Sequence, residues 1–131
     1  MELTINGEVY NFKFGIAFLR DIDKTQTEKL PNGTERKVGF AYAVAEIMDG
    51  NILALSDVLV LANATEDKRV SREDLEAYLE DDNTNIDTVF DDVLRFLNKS
   101  NACKKQMQAM QKVIKENATG EDVIAYPIPE K

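Results

Sequence analysis

The chain has 131 residues, a net charge of −8 and 44% hydrophobic side chains, which fits one globular domain with a modest core and excludes disorder throughout. Sixteen basic against 24 acidic side chains argue against wrapping nucleic acid phosphates or docking on an anionic membrane. With no histidine and a single cysteine, Cys103, there is no Ser-His-Asp or Cys-His catalytic set, zinc finger, CxxC redox pair or internal disulfide.

The segment Met1 to Glu8 lacks a basic stretch leading into an apolar one, so no export signal is read. The longest apolar runs, Ile52–Leu55 and Val58–Ala62, fall far short of the ~20 residues a membrane span needs. The expected location is the cytoplasm, and a lone thiol suits its reducing conditions. Without an export signal, the four Asn-x-Ser/Thr sequons at Asn32, Asn63, Asn98 and Asn117 are read as chance.

The first element predicted is a β-hairpin. Leu3 and Ile5 alternate with polar residues, Asn6-Gly7 suits a type I′ turn, and Tyr10, Phe12 and Phe14 alternate on the return. With Asn6-Gly7 as the loop, Ile5 faces Glu8, Leu3 faces Tyr10 and Met1 faces Phe12. One face is then apolar and must be covered, because a lone ribbon is marginal in water.

A first helix is expected from about Gly15 to Lys24, with Ile16, Leu19 and Ile22 at helical spacing. Glu28–Val38 carries Pro31-Asn32-Gly33 and no periodicity, so it reads as a turn or loop. Phe40, Ala43, Val44, Ile47 and Met48 mark a second helix ended by Gly50. Ile52, Leu55, Leu59 and Ala62 line a third, apolar nearly all round and so a candidate for the centre of the core. Ser71 fits an N-cap ahead of Leu75, Tyr78 and Leu79, with Asp74 imitating a capping box.

The last helix is expected to be the longest. Ile86, Val89, Phe90, Val93, Leu94 and Leu97 form a strong stripe that Cys103, Met107, Met110 and Ile114 prolong more thinly. From Thr84 to Asn117 that is roughly 34 residues and about 50 Å. A domain this small is rarely so wide, so the second half projects, bends near Asn98-Ser100-Asn101, or packs on another chain. The expectation is a single α+β domain over residues 1–117, an N-terminal hairpin packed on about five helices, and a flexible tail over residues 118–131.

Charge is segregated. Residues 66–92 carry eleven acidic and three basic side chains, and residues 93–115 carry six basic and none acidic. One reading is the helix macrodipole, with Asp87, Asp91 and Asp92 opening the long helix and Lys104, Lys105, Lys112 and Lys115 ending it. The other is head-to-tail attraction between copies.

Asp81, Asn83, Asn85, Asp87 and Asp92 imitate the spacing of a calcium loop. Ile86 stands where the sharp turn needs glycine, and Asp92 where a bidentate Glu is preferred, so the segment reads as an acidic turn. No carboxylate pair is tied to a nucleophile, and no phosphate-binding glycine loop occurs, so no enzyme and no cofactor is expected. The lysines of the last helix have no interleaved aromatic on which a base could stack. Cys103, Met107, Met110 and Ile114 are the candidate partner-binding strip, since methionine adapts to irregular surfaces; packing on the chain's own core is the alternative.

The order of these elements resembles a known family. The residues that carry it are the hairpin Met1–Gly7 with Tyr10–Gly15, Gly39-Phe40-Ala41-Tyr42 opening a helix, and Asn51–Leu59. Glu73-Asp74-Leu75-Glu76 ahead of Phe90-Asp91-Asp92-Val93-Leu94 complete the set. The pattern, over residues 1 to about 115, resembles the tail assembly chaperones of long-tailed phages and prophages of Gram-positive hosts. The resemblance implies a non-enzymatic protein of virion morphogenesis in the host cytoplasm. It would bind the long apolar tape measure protein, keep it soluble until the tail tube forms, and self-associate as a homo-oligomer. A different class of reading is a small acidic adaptor or inhibitor whose segment 66–92 occupies a basic partner in the manner of DNA.

Overall fold

The computed structural model describes residues 1–120, with side chains described as far as Lys112. Strands β1 (Glu2–Ile5) and β2 (Glu8–Asn11) pair antiparallel, with Ile5 opposite Glu8 and Leu3 opposite Tyr10. Met1 and Phe12 extend the pairing, the Phe12 amide donating to the Met1 carbonyl at 2.8 Å. Asn6 (φ 54°) and Gly7 (φ 78°) take the two left-handed positions of the turn. The register is the expected one. Leu3, Ile5, Phe12 and Phe14 are buried beneath it.

Helix α1 (Ile16–Asp23) buries Phe18 and Ile22. Ile16, expected on the apolar stripe, is instead 65% exposed, because the helix is seated through the edge-on contact of Phe14 with Phe18 at 5.2 Å. That contact turns the first helical position outward. The segment expected as a loop over Glu28–Val38 is a second hairpin, β3 (Thr27–Lys29) with β4 (Glu35–Lys37). It escapes periodicity because both strands are polar and mostly exposed, so neither has an apolar face to alternate.

Helix α2 (Gly39–Met48) starts hard against α1. A Cβ on Gly39 would stand 1.9 Å from the Ile22 carbonyl oxygen, so only glycine fits there. Asp23 accepts from the Phe40 amide at 3.1 Å and so caps α2 from outside. Gly50 and Asn51 close it by donating to the Ile47 and Glu46 carbonyls, a Schellman motif.

Helix α3 (Ile52–Asn63) touches α1, α2 and α4 (Arg72–Glu80) and is the centre of the core, as expected. Leu55, Val58, Leu59 and Ala62 are closed off from solvent. Ser71 caps α4 by accepting from the Asp74 amide at 3.0 Å. Arg72 binds Asp57 at 2.9 Å and Glu76 at 3.4 Å, tying α4 to α3.

The long last helix is divided. Helix α5 (Ile86–Lys99) ends at Ser100, whose extended backbone (ψ 129°) stops it, and α6 (Lys104–Gly120) follows after a short turn. Ser100 Oγ accepts from the Ala102 and Cys103 amides, the pattern of an N-cap, and donates to the Phe14 carbonyl 86 residues away. The break lets α6 pack on α5. The architecture is therefore α+β, with six helices among the described residues. Of the tail expected over residues 118–131, the part from 121 on lies outside the described residues.

Asn63 joins three segments. Its side-chain amide donates to the Asn11 carbonyl at 2.9 Å and the Lys68 carbonyl at 3.0 Å, and accepts from the Val70 amide at 2.8 Å, at a buried site. Replacement by alanine leaves the buried Val70 amide without its partner, worth about 1–3 kcal/mol, and removes two part-buried bonds to carbonyls. Asn63→Ala should lower unfolding free energy in urea by roughly 3 kcal/mol, whereas Thr65→Ala, in the same sequon but exposed, should be close to neutral.

Candidate functional site

The strip Cys103, Met107 and Met110 falls at helical spacing on the underside of α6, and all three side chains are buried, Met107 completely. They belong to the same apolar cluster as Val89, Val93 and Leu97 of α5. Within the folded chain these three side chains pack in the core, the alternative weighed for them above. Ile114 lies on α6, but its side chain is outside the described residues.

Burial pushes the Cys103 thiol above its ordinary value of 9.0, partly offset by its hydrogen bond with Ser100. A thiol held neutral in this way supports the fold fully below that value. The support fades as pH rises through it, because the unfolded chain then ionises Cys103 and the native chain resists. Thiol reagents at pH 8 should therefore react with Cys103 slowly until denaturant is added. Met107→Ala should cost about 2–4 kcal/mol of stability and lower the melting temperature. A variant that melts unchanged would show that α6 does not pack as described.

The exposed apolar surface lies elsewhere. Leu53 is 70% and Ile52 39% exposed at the start of α3, held there by Asn51, whose side chain caps the helix by accepting from the Leu53 and Ala54 amides. Ile52 lines an open groove of about 670 Å³ between the α2–α3 turn and α5, with Ile47, Met48, Ile86, Phe90 and Leu94 for walls and Asp87 and Asp91 on the rim. On its other side Ile52 and Leu53 border a shallow cleft against α4, edged by Glu76 and Glu80. Ile86, Phe90 and Leu94 remain half-buried. The result is an apolar band with carboxylates along both edges.

The calcium-like spacing is built otherwise. Asn85 caps α5 by accepting from the Thr88 amide at 3.2 Å, and Asp81 accepts from the Asn83 amide at 2.8 Å. Two of the would-be ligands are thus engaged with the backbone, and Ile86 is already helical. Among the described residues no three acidic or cysteine side chains cluster as a metal site.

A second groove, of about 790 Å³, lies at the other end, between the corner joining β2 to α1 and the corner joining α5 to α6. Phe12, Phe14 and Phe18 form its floor, and Ile16 and Phe96 its open sides. Lys13, Lys99 and Glu66 stand around it. Lys99 lies 5.8 Å and Arg95 5.0 Å from the Phe96 ring centre, although Arg95 is also paired with Asp92.

The division of the last helix alters the charge reading. Lys104 and Lys105 open α6 instead of ending a long helix, so they stand at the positive end of its dipole, where cations are unfavourable. The macrodipole accounts for Asp87 and Lys99, at the start and end of α5, but not for these two lysines.

Sequence reasoning singled out neither Leu53 nor Phe96 as surface. Leu53 sits in the apolar run Ile52–Leu55, which reads as core, and Phe96 lies off the stripe of α5 between Arg95 and Leu97; only the packing of neighbouring helices shows what each meets.

A family model described as phage tail assembly chaperone protein, TAC, matches residues 2–112, most of the chain. No curated protein and no solved structure matches it. Among the described residues no helix is long and apolar enough to cross a membrane.

Proposed function

The chain belongs to the phage tail assembly chaperone family, and we propose that it binds the tape measure protein in the host cytoplasm and shields its apolar surface until the tail assembles. Membership supports a chaperone role in tail assembly, a phage tail protein as partner and a non-enzymatic activity. The observation that carries the finer reading is the apolar band of Ile52, Leu53 and Phe90 edged by Asp87, Asp91, Glu76 and Glu80. A client helix would lay its apolar face along this band. The carboxylates favour clients whose apolar stripe is flanked by lysine or arginine, and keep the complex in solution.

Contact through apolar surface persists in salt, whereas a purely electrostatic decoy releases its partner. Leu53→Asp, at a 70% exposed position, should leave thermal melting unchanged and abolish co-purification with a tape measure fragment. Wild-type binding should survive 0.5 M salt. Retained binding by Leu53→Asp would overturn the placement of the client, and loss of wild-type binding in salt would favour the acidic adaptor.

A further inference from the structure

The aromatic-floored groove at the hairpin end lies apart from the band proposed for the client and calls for an occupant of different chemistry. Its open sides are Ile16, 65% exposed, and half-buried Phe96, and its rim holds Lys13 and Lys99 against a single carboxylate, Glu66. Glu66 is itself engaged, accepting from Thr65 at 3.0 Å. Lys104 and Lys105 add positive charge to the adjoining corner, at a helix end where the dipole opposes them. An occupant should therefore be apolar along its middle and acidic at an end.

Residues 121–131, outside the described residues, have that composition. Val123-Ile124-Ala125-Tyr126-Pro127-Ile128-Pro129 is an unbroken apolar run, preceded by Glu121-Asp122 and followed by Glu130-Lys131, so its acidic end is the one that leads into the run. Its two prolines suit an extended ligand on an aromatic floor, which binds at low entropic cost because proline is already restricted.

Reach decides which copy supplies it. Helix α6 starts next to the groove, at the turn holding Asn101 and Ala102, and runs 17 residues to Gly120, about 25 Å at 1.5 Å per residue. Returning that distance uses about eight residues at roughly 3.3 Å each. Nearly all of residues 123–129 fall within that return stretch and stay short of the groove of their own copy. We propose that residues 123–129 of a second copy occupy this groove, so that copies of the chain join through their C-terminal segments.

Two full-length variants test it. Ile16→Asp blocks the groove at an exposed position and keeps the segment; Ile124→Asp/Ile128→Asp blocks the segment and keeps the groove. In sedimentation velocity the wild type should exceed monomer mass and grow with concentration. Each variant alone should associate roughly tenfold more weakly or worse, with an unchanged melting temperature. The equimolar mixture should restore a 1:1 complex, because one partner contributes the groove and the other the segment. A monomeric wild type, a variant that associates like the wild type, or a mixture that stays monomeric would each overturn the proposal. So would a monomeric wild type whose Ile16 methyl resonance shifts on Ile124→Asp/Ile128→Asp, which would make the occupant the chain's own segment. Loss of tape measure binding on Ile16→Asp with self-association intact would assign the groove to the client. None of these outcomes depends on Leu53, so the two proposals fail separately.

Discussion

The underside of β1–β2, with Leu3 and Ile5 on β1 and Phe12 just past β2, has no third strand beside it among the described residues and no stability as a free ribbon. It has to be covered by helices, and the chain holds it there with a few polar anchors at its edges. Asn63 at the end of α3 binds the Asn11 carbonyl, the Ala62 carbonyl accepts from Lys13 at 2.9 Å, and Ser100 binds the Phe14 carbonyl. These anchors all engage the return strand and the residues just after it. They set the hairpin over α3 and fix where α1 departs, and the burial of Phe14 and Phe18 follows from that seating.

Ser100 carries this constraint to the other end of the chain. A residue that both stops α5 and caps the following turn already bends the path; one that also bonds to Phe14 puts the bend against the hairpin. Folding α6 back on α5 then brings Cys103, Met107 and Met110 inside. The bend has an electrostatic consequence too. It separates the acidic start of α5 from the lysines at the start of α6 by a helix break, so their charges are not offset along one dipole.

Where the sequence carried a local physical signal, it was legible. The Asn6-Gly7 turn, the register of β1 and β2, the Ser71 cap and the central place of α3 all follow from turn chemistry, capping and apolar periodicity. The hairpin β3–β4 was not legible, because its strands are polar on both faces and only Pro31-Asn32-Gly33 marked the turn. The direction of Ile16 and the burial of Met107 were not legible either. The first depends on the ring contact of Phe14 with Phe18, which apolar spacing alone does not encode, and the second on α5 folded against α6. Asn63 stands in a sequon that reads as chance, and nothing in its neighbours announces three hydrogen bonds from one buried side chain.

The same geometry explains why Met107 and Met110 lie inside while Leu53 stays exposed and Phe90 half-buried. Methionine's three rotatable bonds let Met107 and Met110 fill the space where α6 packs on α5. Leu53 and Phe90 sit instead on rigid helices, Leu53 just after a capped end and Phe90 one turn into α5. Stiff side chains in fixed positions lose little entropy when a client covers them. Specificity among apolar helices then falls to the carboxylates beside them, since a greasy band alone distinguishes such helices poorly and misplaced charge excludes the wrong ones. On the proposed reading, a surface of that kind selects its client by character more than by sequence.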